Sequence, residues 1–200
     1  MADQDLVFRV VVLLLFVGVR FVRWHSRRLI GWKASWPTMK KYPLDTVVLM
    51  SLAVAWVTAM VVYVAFPNLV ARFSVPIPQP LRWCAVLVAV AGLALLGWAD
   101  RCLGQNLSVV LQIRDQHTLV TNGPYHWVRH PIYSATLLYA AALAVVTANY
   151  VLAVAIVVPM VLLVALRLGR EEQMMIDEFG DAYRTYMQNT GRLLPKCCRS

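Results

Sequence analysis

Charge is what this chain has least of. Only 14% of its 200 residues are Asp, Glu, Lys or Arg, 60% are hydrophobic, and the mean hydropathy is +0.62. Soluble domains carry about a quarter charged residues, so this composition excludes an ordinary water-soluble fold. Acidic residues are scarcest, 10 against 19 basic, leaving a net charge of +9. That excess does not point to nucleic acid, because the basic residues sit between apolar runs and report topology instead of lining one soluble face. The four cysteines, at 84, 102, 197 and 198, lack metal-ligand spacing, and the adjacent Cys197 and Cys198 do not readily bridge each other. Neither a disulfide framework nor a zinc site is expected, and no metal. They read as small buried or tail thiols, with lipidation of Cys197–Cys198 left open. No small-residue cleavage site follows the first apolar run, so it reads as a retained helix and not a removable signal.

What is present is a succession of apolar runs separated by polar islands. Leu6–Val22 is interrupted only near its ends by Arg9 and Arg20, whose long side chains can reach headgroups. Leu44–Phe66 and Leu81–Ala99 are long enough, at about 1.5 Å per residue, to cross about 30 Å of hydrocarbon. Between them Pro67, Pro76, Pro78 and Pro80 predict a non-helical loop. Pro131–Thr147 and Val151–Leu166 follow, joined only by Ala148, Asn149 and Tyr150, which predicts a tight antiparallel helical hairpin. Pro159 is expected to kink the last of these.

Residues 23–43, 101–130 and 167–200 carry six, three and six of the 19 Lys and Arg. Cytoplasmic loops are enriched in these residues, so the three segments are expected in the cytoplasm and the N-terminus outside. The predicted fold is all-α: a polytopic membrane protein of five transmembrane helices, plus a cytosolic amphipathic helix over Glu171–Gly191, where Met175, Phe179, Tyr183 and Tyr186 or Met187 recur at helical spacing. A solvated tail helix is the plainer reading of that segment.

Two islands carry candidate chemistry. In Arg129-His130-Pro131-Ile132-Tyr133, the proline suits a helix's first turn, whose free N–H groups and positive dipole end favour an anion such as a carboxylate. Residues 121–125, Thr-Asn-Gly-Pro-Tyr, form a turn that brings Tyr125 near this end. Arg and His there could equally anchor headgroups. In the second island Arg167 and Glu171 are spaced i to i+4 and project from one helix face. A plain salt bridge satisfies that spacing too, but a guanidinium grips a carboxylate or phosphate, and a carboxylate attracts an ammonium or sulfonium.

The elements HTLV at 117–120, GPY at 123–125, RHPIY at 129–133, Arg167 with Glu171, FG at 179–180, YRTY at 183–186 and GRLLP at 191–195 resemble the isoprenylcysteine carboxyl methyltransferases and their short prokaryotic relatives. The similarity is dense from about residue 100 to 196. It implies methyl transfer from S-adenosylmethionine, leaving S-adenosylhomocysteine, to a lipophilic or prenylated carboxylate at the cytosolic membrane face. By position it assigns Gln112, His117, Thr118, Leu119, Val120, Tyr125, His130, Pro131, Ile132, Tyr133 and Glu171 to the cofactor. Arg167 falls to the substrate, and Arg167 and Glu171 are the expected catalytic pair. Residues 1–100 would then be three helices on the lipid-substrate side, and 101–200 the catalytic half. The short length points to a prokaryotic plasma membrane over the endoplasmic reticulum, with membrane lipid and no nucleic acid among the partners.

Two other readings stay open. The acceptor could be a phospholipid amine or a thiol; an amine needs a base, for which Glu172 or His126 could serve. Alternatively the islands could be anchors of a non-catalytic membrane scaffold.

Overall fold

The computed structural model describes residues 2–30, 43–104 and 118–196. The apolar runs are helices: α1 (Ala2–Ile30), α2 (Pro43–Ala65), the single short turn α3 (Pro67–Ala71), α4 (Gln79–Leu103), α5 (Pro131–Thr147), α6 (Tyr150–Phe179) and α7 (Asp181–Asn189), with a 3-10 turn at Gly123–His126. Proline stands in the first turn of α3, α4, α5 and the 3-10 turn, where its missing N–H leaves no helical bond unmade. The break between α5 and α6 is local chemistry. Ala148 takes the left-handed conformation at φ 47°, and the Asn149 side chain accepts from the Leu152 amide at 3.0 Å, capping α6.

Packing starts from a seam of small residues. Ala85, Ala89, Gly92 and Leu96 form one buried face of α4, and Ala135, Tyr139, Ala142, Leu143 and Val146 the facing side of α5. Small side chains let two helices approach closely, which matters where lipid gives no hydrophobic push between helices. Phe8, Val12 and Leu15 from α1, Met60 and Tyr63 from α2, and Leu152 and Ile156 from α6 complete the core. The outward faces are as apolar as the core, with Leu14, Val54, Leu87 and Leu166 each more than 60% exposed. A surface of that kind is favourable only against hydrocarbon. Among the described residues, Gln79–Leu103 and Tyr150–Phe179 are long and apolar enough to cross a bilayer, and Ala53–Ala65 and Pro131–Thr147 are shorter apolar helices.

Polar contacts close the two ends of this bundle. At one end Arg82 is buried, donating from Nε to the Val146 carbonyl at 3.1 Å and from Nη1 to Asp5 at 3.3 Å. Its guanidinium also lies 3.6 Å over the Phe8 ring. Beside it, Asn149 Nδ2 donates to the Val70 carbonyl at 2.8 Å, and the Val75 amide to the Ala148 carbonyl at 2.8 Å. The α5–α6 link is thereby tied to the segment after α3. At the other end lie the C-terminal parts of α1 and α4, the start of α5, the polar end of α6, and α7.

Two expectations are corrected and one is extended. The proline-rich stretch after Phe66 is not wholly irregular, since Pro67 opens the short helix α3. The last apolar run continues as one helix to Phe179, with Pro159 inside it, as the shared face of Arg167 and Glu171 requires. The amphipathic helix expected over Glu171–Gly191 is divided at Gly180, whose φ of 54° ends α6 before α7 begins. Residues 171–179 therefore belong to the long helix, which holds Glu171 in register with Arg167.

Replacing Arg82 by Ala leaves the Val146 carbonyl without this donor and removes the cation from Phe8. Thermal unfolding in detergent should show a loss of about 2 kcal/mol. Replacing its exposed partner Asp5 should cost less than about 1 kcal/mol.

Candidate active site

The polar end is built outward from the first turn of α5. Residues 118–122 lead in without regular structure and the chain then turns through Gly123, at φ 57°. A Cβ there would lie 2.6 Å from Cys102 Sγ, so glycine lets the 3-10 turn sit directly on α4. The turn buries Pro124 and Tyr125, and the Tyr125 carbonyl accepts from the Tyr186 hydroxyl of α7 at 2.5 Å. Burial first, then the neighbouring charge of Asp100, raises the Tyr125 hydroxyl well above its ordinary value, so the phenol stays neutral.

After the turn, residues 127–130 are held by the C-terminal strap. The Arg129 amide donates to the Gly191 carbonyl at 2.8 Å, the His130 amide to the Arg192 carbonyl at 3.2 Å, and the Gly191 amide to the Trp127 carbonyl at 3.3 Å. Ser134 adds its hydroxyl to the Leu193 carbonyl at 2.6 Å. A Cβ on Gly191 would fall 1.8 Å from the Leu194 carbonyl oxygen, so the strap's tight return admits only glycine. The GRLLP segment thus clamps the start of α5.

Two adjacent carboxylates of α6 have opposite environments. Glu172 is buried among cations: its Oε1 accepts from Arg129 Nε at 3.0 Å and Nη2 at 2.9 Å and from His130 Nε2 at 3.3 Å, while its Oε2 faces Arg192 Nη2 at 2.8 Å. Arg129 also donates from Nη1 to the Met187 carbonyl at 3.1 Å and to the Thr190 carbonyl. Burial would raise the Glu172 carboxyl, but the hydrogen bonds from His130 and Arg129 outweigh it and hold the group down to about 2.

Glu171 opens toward solvent, its side chain 26% exposed. Its Oε1 accepts from the Tyr133 hydroxyl and lies 3.8 Å from Arg167 Nη2, while its Oε2 stands 3.7 Å from His130 Nδ1. Arg167 itself is only 10% exposed at its side chain.

The two islands, separated in sequence, therefore meet. His130, Tyr133, Arg167 and Glu171 share one cluster, and Tyr125 lies within electrostatic reach of Glu171. Pro131 is buried in the first turn of α5 and Ile132 is half-buried beside it. Thr118 is exposed, and Leu119 and Val120 are half-buried in the lead-in segment. Gln112 and His117 lie outside the described residues, as do Cys197 and Cys198.

Sequence reasoning missed the roles of Arg129, Glu172, Ser134 and Arg192. The signal was present as doublets, Arg129-His130 against Glu171-Glu172. Consecutive helical residues point about 100° apart, so one member of the pair must face elsewhere. Glu172 was a candidate base for an amine acceptor. A base should have its pKa near the working pH, so a carboxylate held this low is poorly suited to that role. His126 is exposed on the 3-10 turn with its ring edge-on to Trp127.

Among the described residues, a helical bundle with an apolar exterior, two helices long and apolar enough to cross a bilayer, and one charged, strapped end is the architecture of a membrane protein. Residues 84–177, a little under half of the chain, are similar to the isoprenylcysteine carboxyl methyltransferase family. Its relatives include the protein-S-isoprenylcysteine O-methyltransferase of Dictyostelium discoideum, 26% identical over 73% of this chain and 60% of the relative. The human protein-S-isoprenylcysteine O-methyltransferase is 30% identical over 58% of this chain and 43% of its own length. The chain thus spans less than two thirds of these relatives. A solved structure of a eukaryotic intramembrane Ras methyltransferase, isoprenylcysteine carboxyl methyltransferase, covers 92% of this chain and 67% of its own at a TM-score of 0.58 and 23% identity, a likeness of fold.

Glu172 contributes stability through its low folded pKa. That contribution is complete above the ordinary value of 4.5 and is lost as pH falls through about 2. Thermal unfolding between pH 5 and pH 2 should show the wild type losing stability with acid and Glu172→Gln, already weaker at pH 5, losing less.

Proposed function

We propose that the chain is an integral membrane methyltransferase that uses S-adenosylmethionine to esterify the carboxylate of an isoprenylcysteine or similar lipophilic acceptor. The observation that carries this reading is the direct pairing, at one end of the bundle, of a solvent-reaching carboxylate, Glu171, with a largely buried guanidinium, Arg167, the Tyr133 hydroxyl donating to the same carboxylate. Such a pair offers each ligand an opposite charge: the carboxylate suits a cationic donor and the guanidinium an anionic acceptor.

The donor set suits the cofactor on its own chemistry. Glu171 would hold the cationic portion, the amino group or the sulfonium region, with Tyr133, Tyr125 and His130 around it and Thr118, Leu119 and Val120 leading in to it; Gln112 and His117, assigned to the cofactor by the resemblance alone, lie outside the described residues. When bound, S-adenosylmethionine supplies an electrophilic methyl group. Arg167 orients the acceptor's carboxylate, which is ionised at neutral pH and needs no general base. The strapped turn, the buried Pro124 and Tyr125 and the apolar walls exclude water, so positioning and desolvation supply most of the acceleration. The low pKa of Glu172 favours this acceptor over an amine, which would have to be deprotonated.

The same reading places five spans in a prokaryotic plasma membrane, with the N-terminus outside and the charged end in the cytosol. The basic residues of segments 23–43, 101–130 and 167–200 support the topology alone. Residues 1–100 would select the lipid chain and 101–200 hold the cofactor, the α5–α6 pair acting as a hairpin across the bilayer.

Arg167→Ala and Glu171→Ala should each reduce methyl incorporation by at least about 100-fold, near a 3 kcal/mol loss, while the proteins still insert and purify; retained turnover in both would remove the assignment. With radiolabelled cofactor and membrane lipid extract, the product label should be released by base as an ester is. A base-stable label would instead indicate an amine or thiol acceptor.

A further inference from the structure

Near the same end of the bundle lies an ion pair that neither motif contains. Asp100, on the last turns of α4, has a fully buried side chain. Its Oδ2 accepts from the Ser26 hydroxyl at 2.5 Å and its Oδ1 from Arg23 Nη1 at 3.4 Å, both partners coming from α1. Burying a carboxylate is costly unless it is paired and hydrogen-bonded. Both oxygens are in fact used, so the group is fixed in place.

Arg23 is in a different position. A guanidinium carries five N–H donors in a rigid fork, and only Nη1 is directed to Asp100, while 39% of the side chain remains exposed. An arginine that merely anchors α1 to headgroups needs no buried carboxylate beneath it. Here the carboxylate holds one arm of the fork, which limits the side chain's freedom before any ligand arrives.

The surroundings indicate where that fork lies. Arg23 is within electrostatic reach of the Tyr133 hydroxyl, which donates to Glu171. Asp100 is within reach of Tyr125, as Glu171 is. Arg167 of α6 thus pairs with Glu171 directly, and Arg23 of α1 acts on the same cluster at longer range. The proposed chemistry involves two carboxylates, that of the acceptor and that of the cofactor's amino-acid moiety, and Arg167 can orient only one of them.

We propose that Arg23 is the site's second anion receptor, held by Asp100 as a positioning residue, and that it binds a ligand carboxylate. The proposal rests on the methyltransferase reading above. It assigns to α1 a part in the chemistry beyond lining a path for lipid.

The test uses the full-length protein in lipid nanodiscs, comparing wild type with Arg23→Gln, Arg23→Lys and Asp100→Asn. One arm measures the affinities of S-adenosylhomocysteine and of 5′-methylthioadenosine, which lacks the amino-acid moiety and its carboxylate. The other measures KM and kcat for N-acetyl-S-farnesylcysteine, with inhibition by its methyl ester as the uncharged control. Arg23→Gln should weaken one carboxylate-bearing ligand about tenfold, leave its uncharged counterpart within about twofold, and be partly rescued by Arg23→Lys. A changed homocysteine-to-thioadenosine ratio identifies the cofactor's carboxylate, and a raised acceptor KM with unchanged ester inhibition identifies the acceptor's. Asp100→Asn should shift the same ratio less. Unchanged ratios in both arms, or equal loss for charged and uncharged ligands, overturn the proposal while wild-type turnover leaves the methyltransferase reading intact. A wild type that neither binds S-adenosylhomocysteine nor turns over removes that reading and this proposal together.

Discussion

A buried carboxylate surrounded by cations holds the polar end together. Glu172 of α6 receives Arg129 and His130 from the turn before α5 and Arg192 from the C-terminal strap. Glu172, Arg129 and His130 would each be expensive to bury alone, and each is satisfied only when the others are in place, while Arg192 reaches in from a half-exposed position. Arg129 extends the network by donating to the carbonyls of Met187 and Thr190. The first turn of α5 is thus fixed against α6 and α7 by charge and backbone hydrogen bonds, where apolar packing has largely run out.

That constraint gives the neighbouring Glu171 its character. With Glu172 absorbing the cations, Glu171 keeps a solvent-reaching side chain held by Tyr133 and Arg167. One carboxylate is enclosed by cations and the next is partly open to solvent. The buried pair at Arg23 and Asp100 continues the pattern on the α1–α4 side, with Asp100 enclosed and Arg23 partly open.

The far end of the bundle is closed by different means. Arg82, Asp5 and the Val146 carbonyl join α1, α4 and α5, and Asn149 ties the α5–α6 link to the residues after α3. Between the two ends the helices pack through small residues and face outward with Leu and Val, so a lipid environment can hold them without competing for their polar groups. The two ends differ in what they enclose: one buries the Arg82 guanidinium, the other the Glu172 and Asp100 carboxylates.

Much of this was legible in the residues taken in order. The run Pro131–Thr147 is α5 to the residue, because a proline can start a helix and Ala148–Asn149 can end one and cap the next. Arg167 and Glu171 share a face because they are four apart on a continuous helix. Composition by itself determined the solvent, and consecutive residues determined the helices and many of their ends, since these depend on local hydrogen bonding and transfer from water. Tertiary structure alone decided that Glu172, not Glu171, is the enclosed partner of Arg129, and that Asp100 meets Arg23 across 77 positions of chain. Those choices turn on the rotation and depth at which separate helices pack, which no short stretch of sequence encodes.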